Sequence, residues 1–199
     1  MIDTREHILN TSLKLFLQKS FKEVTMKEIV ETTGLSKGAF YHYFSSKEKV
    51  FEEVVDFFLS DFMKFDFSNL SHDSLKSFYS DYLKSMEEKI QSAGKIGLVT
   101  GDTFNANHYF LLFDALKMLP SFKDKHLEHN QNELNAWTEI VTSAKKSGEI
   151  NSKIPDELIA KTFIYLGDGF GMHLIIDGAA SKMHELKPLF DGIYMGFRA

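Results

Sequence analysis

Apolar residues recur at helical spacing along almost the whole chain, and sustained period-two alternation is nearly absent. In the first segment Ile8, Leu9, Leu13, Phe16 and Leu17 share one face, with Arg5, Lys14, Gln18 and Lys19 on the other, so a helix capped by Asp3 or Thr4 is predicted. Thr25 stands where an N-cap belongs and Glu28 follows three residues on, which predicts a second helix over 26–33 that stops at Gly34. Ser36 caps a third helix over 37–44. Ser45 or Ser46 caps a fourth, whose stripe is Val50, Phe51, Val54, Val55, Phe58 and Leu59.

Beyond residue 62 the pattern stays helical but is less sharply punctuated. A helix is predicted to start near Ser71, carrying Phe78, Tyr82, Leu83, Met86 and Ile90, and to break around Gly94, Gly97 and Gly101. Another spans 104–119 and stops at Pro120. The next runs over 123–147, with Leu127, Leu134, Trp137, Ile140, Val141 and Ala144 inward and Gly148 closing it. Pro155 opens a final pair over 156–176 and 182–197. Eight to ten helices and no repeat make the expected fold all-α. A three-helix helix-turn-helix domain over 1–47 is expected, joined by a linking helix to a larger helical domain over 48–199, the candidate for ligand binding and dimerisation.

Charge gives this arrangement a direction. The whole chain carries −5, yet residues 1–50 hold eight Lys/Arg against six Asp/Glu, so the excess of acid lies in the rest. A polyanion would tolerate the N-terminal part and repel the remainder. There is no cysteine, which removes disulfides and thiolate metal sites and permits a reducing cytoplasm. The N-terminus lacks an apolar leader, and no window approaches the roughly 18 apolar residues of a membrane span, so a cytoplasmic, membrane-free protein is expected.

The third predicted helix carries the chemistry. At 100° per residue Phe40 and Phe44 fall on one face, Gly38, Ala39 and His42 fall opposite, and Tyr41 and Tyr43 flank the outer face. The phenylalanines must pack on the first two helices. Gly38 and Ala39 then let the backbone approach a flat polyanion, while Ser36, Lys37, Tyr41, His42, Tyr43 and Lys47 offer donors for phosphates and base edges. The Thr25 hydroxyl and the helix N-termini add further phosphate donors. A helix-turn-helix is also an ordinary way of packing three helices.

These residues also carry a family resemblance. Ile8-Leu9, Leu15-Phe16, Phe21, Thr25, Ile29, Gly34-Leu35-Ser36-Lys37-Gly38, Tyr41, Phe44 and Lys47 stand in the order and spacing of the TetR-family transcriptional regulators, over about 45 residues. Ser12, Val30 and Ser20 depart from that pattern, where alanine, alanine and glycine are usual. The resemblance implies a homodimer whose two N-terminal units enter successive major grooves of a near-palindromic double-stranded operator. It also implies a small-molecule effector that moves the fourth helix and changes the spacing of the readers. Thr25, Lys37, Tyr41 and Lys47 would then hold phosphates, with Ala39, His42 and Tyr43 nearest the bases. A protein-interaction or constitutive DNA-binding factor of the same fold, without effector control, is the other reading.

For an effector site the sequence offers Phe104, His108, Tyr109, Phe113, Trp137, Tyr165 and Asp168, a set equally suited to a plain core. Gly167, Phe170, Gly171, Leu174, Leu189 and Ile193 mark the last two helices as a dimer interface. Glycines inside an apolar helix cost about 1 kcal/mol each, which close helix approach, or room for a ligand, would offset. His126 and His129, with Glu128 or Glu133, lack a metal motif. No nucleophile elbow, phosphate loop or acidic pair points to catalysis, and no cofactor is expected.

Overall fold

The computed structural model describes residues 3–63, 65–95, 106–176 and 180–198. Among them the chain forms α1 (Thr4–Gln18), α2 (Met26–Thr33), α3 (Lys37–Tyr43), α4 (Lys47–Met63), α5 (Leu75–Lys95), α6 (Ala106–Met118), α7 (Pro120–Ser147), α8 (Asp156–Ile176) and α9 (Leu186–Phe197). Short 3-10 turns occupy Phe67–Asn69 and Ala180–Glu185, and no strand occurs among the described residues. The all-α expectation holds.

The caps form where the polar punctuation of the sequence puts them. Asp3 accepts from the Arg5 N–H at 3.2 Å, Thr25 Oγ1 from Glu28 N–H at 3.2 Å, and Ser36 Oγ from Ala39 N–H at 3.2 Å. Each satisfies a helix N–H that has no intrahelical partner. Two boundaries differ from expectation. Pro120, read as a stop, is the first residue of α7, because a proline has no N–H to lose at that position and its fixed φ suits helix entry. The helix read from Ser71 begins at Leu75, because Ser74 Oγ accepts from Ser77 N–H at 3.0 Å and Ser71 is drawn into turn bonds with Asp73 and Ser77. Of the break expected over 94–101, α5 includes Gly94 and runs to Lys95, whereas Gly97 and Gly101 lie outside the described residues.

Packing divides the chain into two compact units, Met1–Lys64 with Asn105–His126, and Phe65–Phe104 with Leu127–Ala199. This division differs from the expected boundary between residues 47 and 48. The reason is that α4 and α6 both pack on α1, so the first unit holds more than the helix-turn-helix. Its core comprises Ile8, Leu9, Leu13, Phe16, Ile29, Phe40, Phe44, Val50, Phe51, Val54, Val55, Leu111 and Ala115, all essentially inaccessible. Phe51 meets Phe16 edge-on at 5.2 Å and Phe21 at 4.7 Å, which fixes α4 to the segment between α1 and α2. The Phe21 N–H donates to the Asp114 carboxylate of α6 at 3.2 Å.

The second unit is centred on aromatic rings. Trp137 stacks on Phe163 at 5.2 Å, Tyr79 lies over Phe163 at 5.9 Å, and Phe78 and Phe190 meet the cluster edge-on. Its polar groups are satisfied by long-range bonds that no local pattern reveals. The Glu149 carboxylate accepts from the N–H groups of Leu75 at 2.8 Å and Lys76 at 3.1 Å, capping α5 from a residue far along the chain, and also from Tyr194 OH at 3.0 Å.

Candidate nucleic-acid interface

The first unit presents α3 as its reader. Gly34 has φ +70°, the left-handed region that lets α2 stop and the chain turn into α3 without steric cost. Phe40 and Phe44 are buried, as the periodicity requires, and they hold the short helix by its inner face. The other face is open: Ser36, Lys37, Gly38, Ala39, Tyr41, His42 and Tyr43 are all exposed. A methyl added at Gly38 would meet nothing within 4 Å, so the outer backbone of α3 is accessible to a large partner. The His42 and Tyr43 rings stand edge-on at 5.4 Å.

Thr25 is exposed at the start of α2. Its oxygen accepts the capping bond while its hydroxyl proton remains able to donate to a phosphate. Lys37 forms no ion pair among the described residues, so its charge is available at the start of α3. Five other cations of this unit are engaged among the described residues: Arg5 with Glu53, Lys19 with Glu28, Lys27 with Glu31, Lys49 with Glu52 and Lys125 with Asp56. The Lys19 ammonium holds the Glu28 carboxyl below its ordinary range, which reinforces that pairing.

Lys47 has a different environment from the one its spacing suggests. Its ammonium donates to the carbonyls of Phe21 at 2.8 Å and Val24 at 2.7 Å and lies 4.2 Å from the centre of the Phe21 ring. Two of its three donors therefore fasten the α1–α2 connection, leaving one for a phosphate.

The residues read from sequence as an effector site belong to different elements of the two units. Phe104 lies outside the described residues, as does the side chain of His108. Tyr109 and Phe113 stack at 5.9 Å on α6 in the first unit. In the second unit Trp137 is at the centre of the core and Tyr165 is exposed. Asp168 lies within electrostatic reach of Tyr82 and Glu133.

From the sequence Tyr82 is only an apolar position of its helix and Glu133 only an acid near His126 and His129, and neither is read as part of a site. Tyr82 OH donates to Glu133 Oε1 at 3.3 Å. Burial, reinforced by the charge of Asp168, pushes the Glu133 carboxyl up to about 7. Burial likewise raises the Tyr82 hydroxyl well above its ordinary value, with the charges of Glu133 and Asp168 adding to it. The available signal was that Glu133 precedes Trp137 by four residues and so shares its inward face of α7.

Of the residues read as a dimer interface, Leu174 is buried, Phe170 and Ile193 pack against the second unit's core, and Gly167 faces Phe190. Gly171 is half-buried and Leu189 is exposed. The exposed large apolar positions described on α8 and α9 are Leu158, Tyr165, Met172, Ile176, Leu189 and Met195. Gly169, Gly192 and Gly196 would each accept a methyl with nothing within 4 Å.

A capped two-helix turn with an unobstructed polar and aromatic outer face defines a helix-turn-helix DNA-binding regulator. Comparison with known proteins names the family. Residues 8–54 match the family described as "Bacterial regulatory proteins, tetR family". Over 174 residues the chain is 26% identical to YfiR of Bacillus subtilis, an uncharacterized HTH-type transcriptional regulator, covering 83% of this chain and 80% of that one. Over 46 residues it is 50% identical to the HTH-type transcriptional repressor NemR of Escherichia coli, 23% of each chain. A solved structure of a TetR/AcrR-family transcriptional regulator superimposes with a TM-score of 0.65 at 18% identity, covering 96% of this chain and 99% of that one. Residues 8–54 are thus similar to the DNA-binding region of the TetR family, and the relatives that the chain resembles are transcriptional regulators.

Among the described residues no helix is long and apolar enough to cross a membrane, and no group of three or more His, Cys, Asp or Glu could hold a metal ion.

Proposed function

We propose that the protein is a ligand-responsive, cytoplasmic, dimeric repressor that leaves a palindromic operator when a small hydrophobic or aromatic effector binds its second unit. The observation that carries the DNA half is the outer face of α3, with Phe40 and Phe44 locked inside while Lys37 to Tyr43 otherwise face outward. Tyr41 and Lys37 would hold phosphates together with Thr25. Ala39, His42 and Tyr43 would lie against base edges, and the small side chains at 38 and 39 set how closely the helix enters the groove. The printed description of NemR as a repressor favours repression over activation.

The effector half is supported by the second unit, where titratable groups lie among aromatic rings instead of on the surface. The dimer is supported by the exposed apolar positions of α8 and α9, which a second copy would cover. Selection from random duplex DNA at moderate salt tests the first half, and enrichment of a single palindrome is the expected outcome. If no sequence is enriched, DNA reading by this surface is wrong. A thermal-shift screen of small apolar compounds, followed by release of the selected operator, tests pocket and switch together.

A further inference from the structure

The turn that joins α1 to α2 is tied to itself. The N–H groups of Glu23 and Val24 donate to the Ser20 carbonyl at 3.0 and 3.3 Å, and the Ser20 N–H and hydroxyl donate to the Glu23 carboxylate at 3.0 and 2.8 Å. Ser20 to Val24 therefore move as one small body, and Thr25, the cap of α2 and a phosphate donor in the reading above, follows directly on it. Wherever this turn goes, the start of α2 goes.

Three holds from outside fix the turn, and all of them act on Phe21. Its ring packs on Phe16 of α1 at 5.9 Å and on Phe51 of α4 at 4.7 Å. Its carbonyl accepts from the Lys47 ammonium, at the start of α4, at 2.8 Å. Its N–H donates to the carboxylate of Asp114 on α6, 93 residues along the chain, at 3.2 Å. Apolar ring contact is non-directional, and an ammonium on a flexible four-carbon stem follows the carbonyl it binds. A directional bond to a short side chain anchored on a helix does neither, so Asp114 sets the distance between α6 and the turn.

Two features of Asp114 argue that position, beyond satisfying an N–H, is its role. Phe21 is only half-buried, so water could accept from that N–H in its place. A carboxylate in the unit that carries the DNA reader also opposes the approach of a polyanion, and among the described residues Asp114 forms no ion pair that would offset its charge.

We propose that Asp114 is a positioning residue for operator binding: through it α6 holds the α1–α2 turn, and so sets Thr25 and α2 against the phosphate backbone, without Asp114 touching DNA. The assignment rests on the reading of α3 and Thr25 as the DNA-contacting surface, and adds to that machinery a residue from outside the helix-turn-helix.

The operator selected from random duplex DNA is titrated with the full chain as wild type, Asp114→Ala and Asp114→Asn over a range of salt, each where circular dichroism shows it folded. Removing one negative charge would by itself strengthen binding in both variants. Loss of the hold predicts the reverse for alanine, about tenfold weaker binding with the wild-type salt slope, because no phosphate contact is removed. Asparagine, whose side-chain oxygen still accepts from the Phe21 N–H, binds at least as tightly as wild type. A role in folding alone would lower the urea midpoint of Asp114→Ala and leave the operator affinity of the folded chain unchanged. Amide hydrogen exchange at Phe21 gives a second readout, protected in wild type and Asp114→Asn and at least about tenfold faster in Asp114→Ala.

Alanine binding as tightly as wild type or tighter, asparagine binding as weakly as alanine, or a wild-type Phe21 amide that exchanges like that of an unfolded chain would each overturn the assignment. The last measurement needs only the wild-type chain, so it decides even where Asp114→Ala does not fold. If wild type enriches no sequence, the DNA reading fails and the role of Asp114 fails with it. If wild type binds and alanine binds alike, only the role of Asp114 fails.

Discussion

The Lys47 ammonium donates to the Val24 carbonyl at 2.7 Å, and with its bond to Phe21 it closes the connection between α1 and α2. Hydrogen bonds from a charged donor contribute about 1.5–3 kcal/mol each, less where water competes. Lys47→Met is therefore expected to destabilise the protein by about 2 kcal/mol, read as a lower urea midpoint with unchanged slope. An unchanged midpoint would remove the structural role assigned to this lysine.

Lys37 should behave in the opposite way. Its charge is exposed and without an ion pair among the described residues, so Lys37→Ala leaves the urea midpoint within about 0.5 kcal/mol of wild type. It reduces the slope of log K for the operator against log salt by about 0.9, the release of one counterion. A slope equal to wild type would take Lys37 off the phosphate backbone.

The turn at Gly34 offers a backbone test. Its φ is +70° and an added methyl would meet nothing within 4 Å, so the penalty of Gly34→Ala is conformational alone, about 1–2 kcal/mol. Gly34→Asn should cost less, because asparagine tolerates this region better. If alanine and asparagine prove equally benign by thermal unfolding, the turn is not held by its left-handed residue.

Glu133 gives a pH dependence of stability with a definite sign. The folded state holds its proton up to about pH 7, against an ordinary value of 4.5, so the folded protein binds more protons than the unfolded chain between these values. The contribution is full below the ordinary value and lost as pH rises through 7. Glu133→Gln should thus be more stable than wild type at pH 8 by on the order of 2–3 kcal/mol, and the difference should shrink towards pH 5. A constant difference across this range would place the carboxyl in water.

The dimer proposal turns on Leu189, exposed on α9 beside a position where Gly192 leaves open space. Leu189→Glu would put an unpaired charge into the interface and raise the dimer dissociation constant on the order of a hundredfold, measured by sedimentation. Folding of the single chain should be untouched, because the wild-type side chain makes little of its core. A variant that sediments as wild type would move the interface elsewhere.

The helix-turn-helix was legible because its determinants are local. A cap at Thr25, a left-handed stop at Gly34, a cap at Ser36 and a helical period placing Phe40 inward all act within a few residues. The start of α5 was misread because two turns compete for Ser71 and Ser74, and the winner depends on Glu149, which binds the α5 N-terminus from 73 and 74 residues away. Glu133 was read only as a neighbour of His126 and His129, because a glutamate on a long charged helix looks solvated until the elements that pack around it are known.

By itself the sequence determined the helical class, the caps, the inner and outer faces of α3 and the family resemblance, since periodicity and capping are short-range properties. Only the tertiary structure decided that Lys47 clamps a connection, that α4 and α6 share a unit with the reader, and that Tyr82, Glu133, Trp137 and Asp168 converge. Those outcomes depend on which helix faces meet, and that depends on packing between residues far apart in the chain.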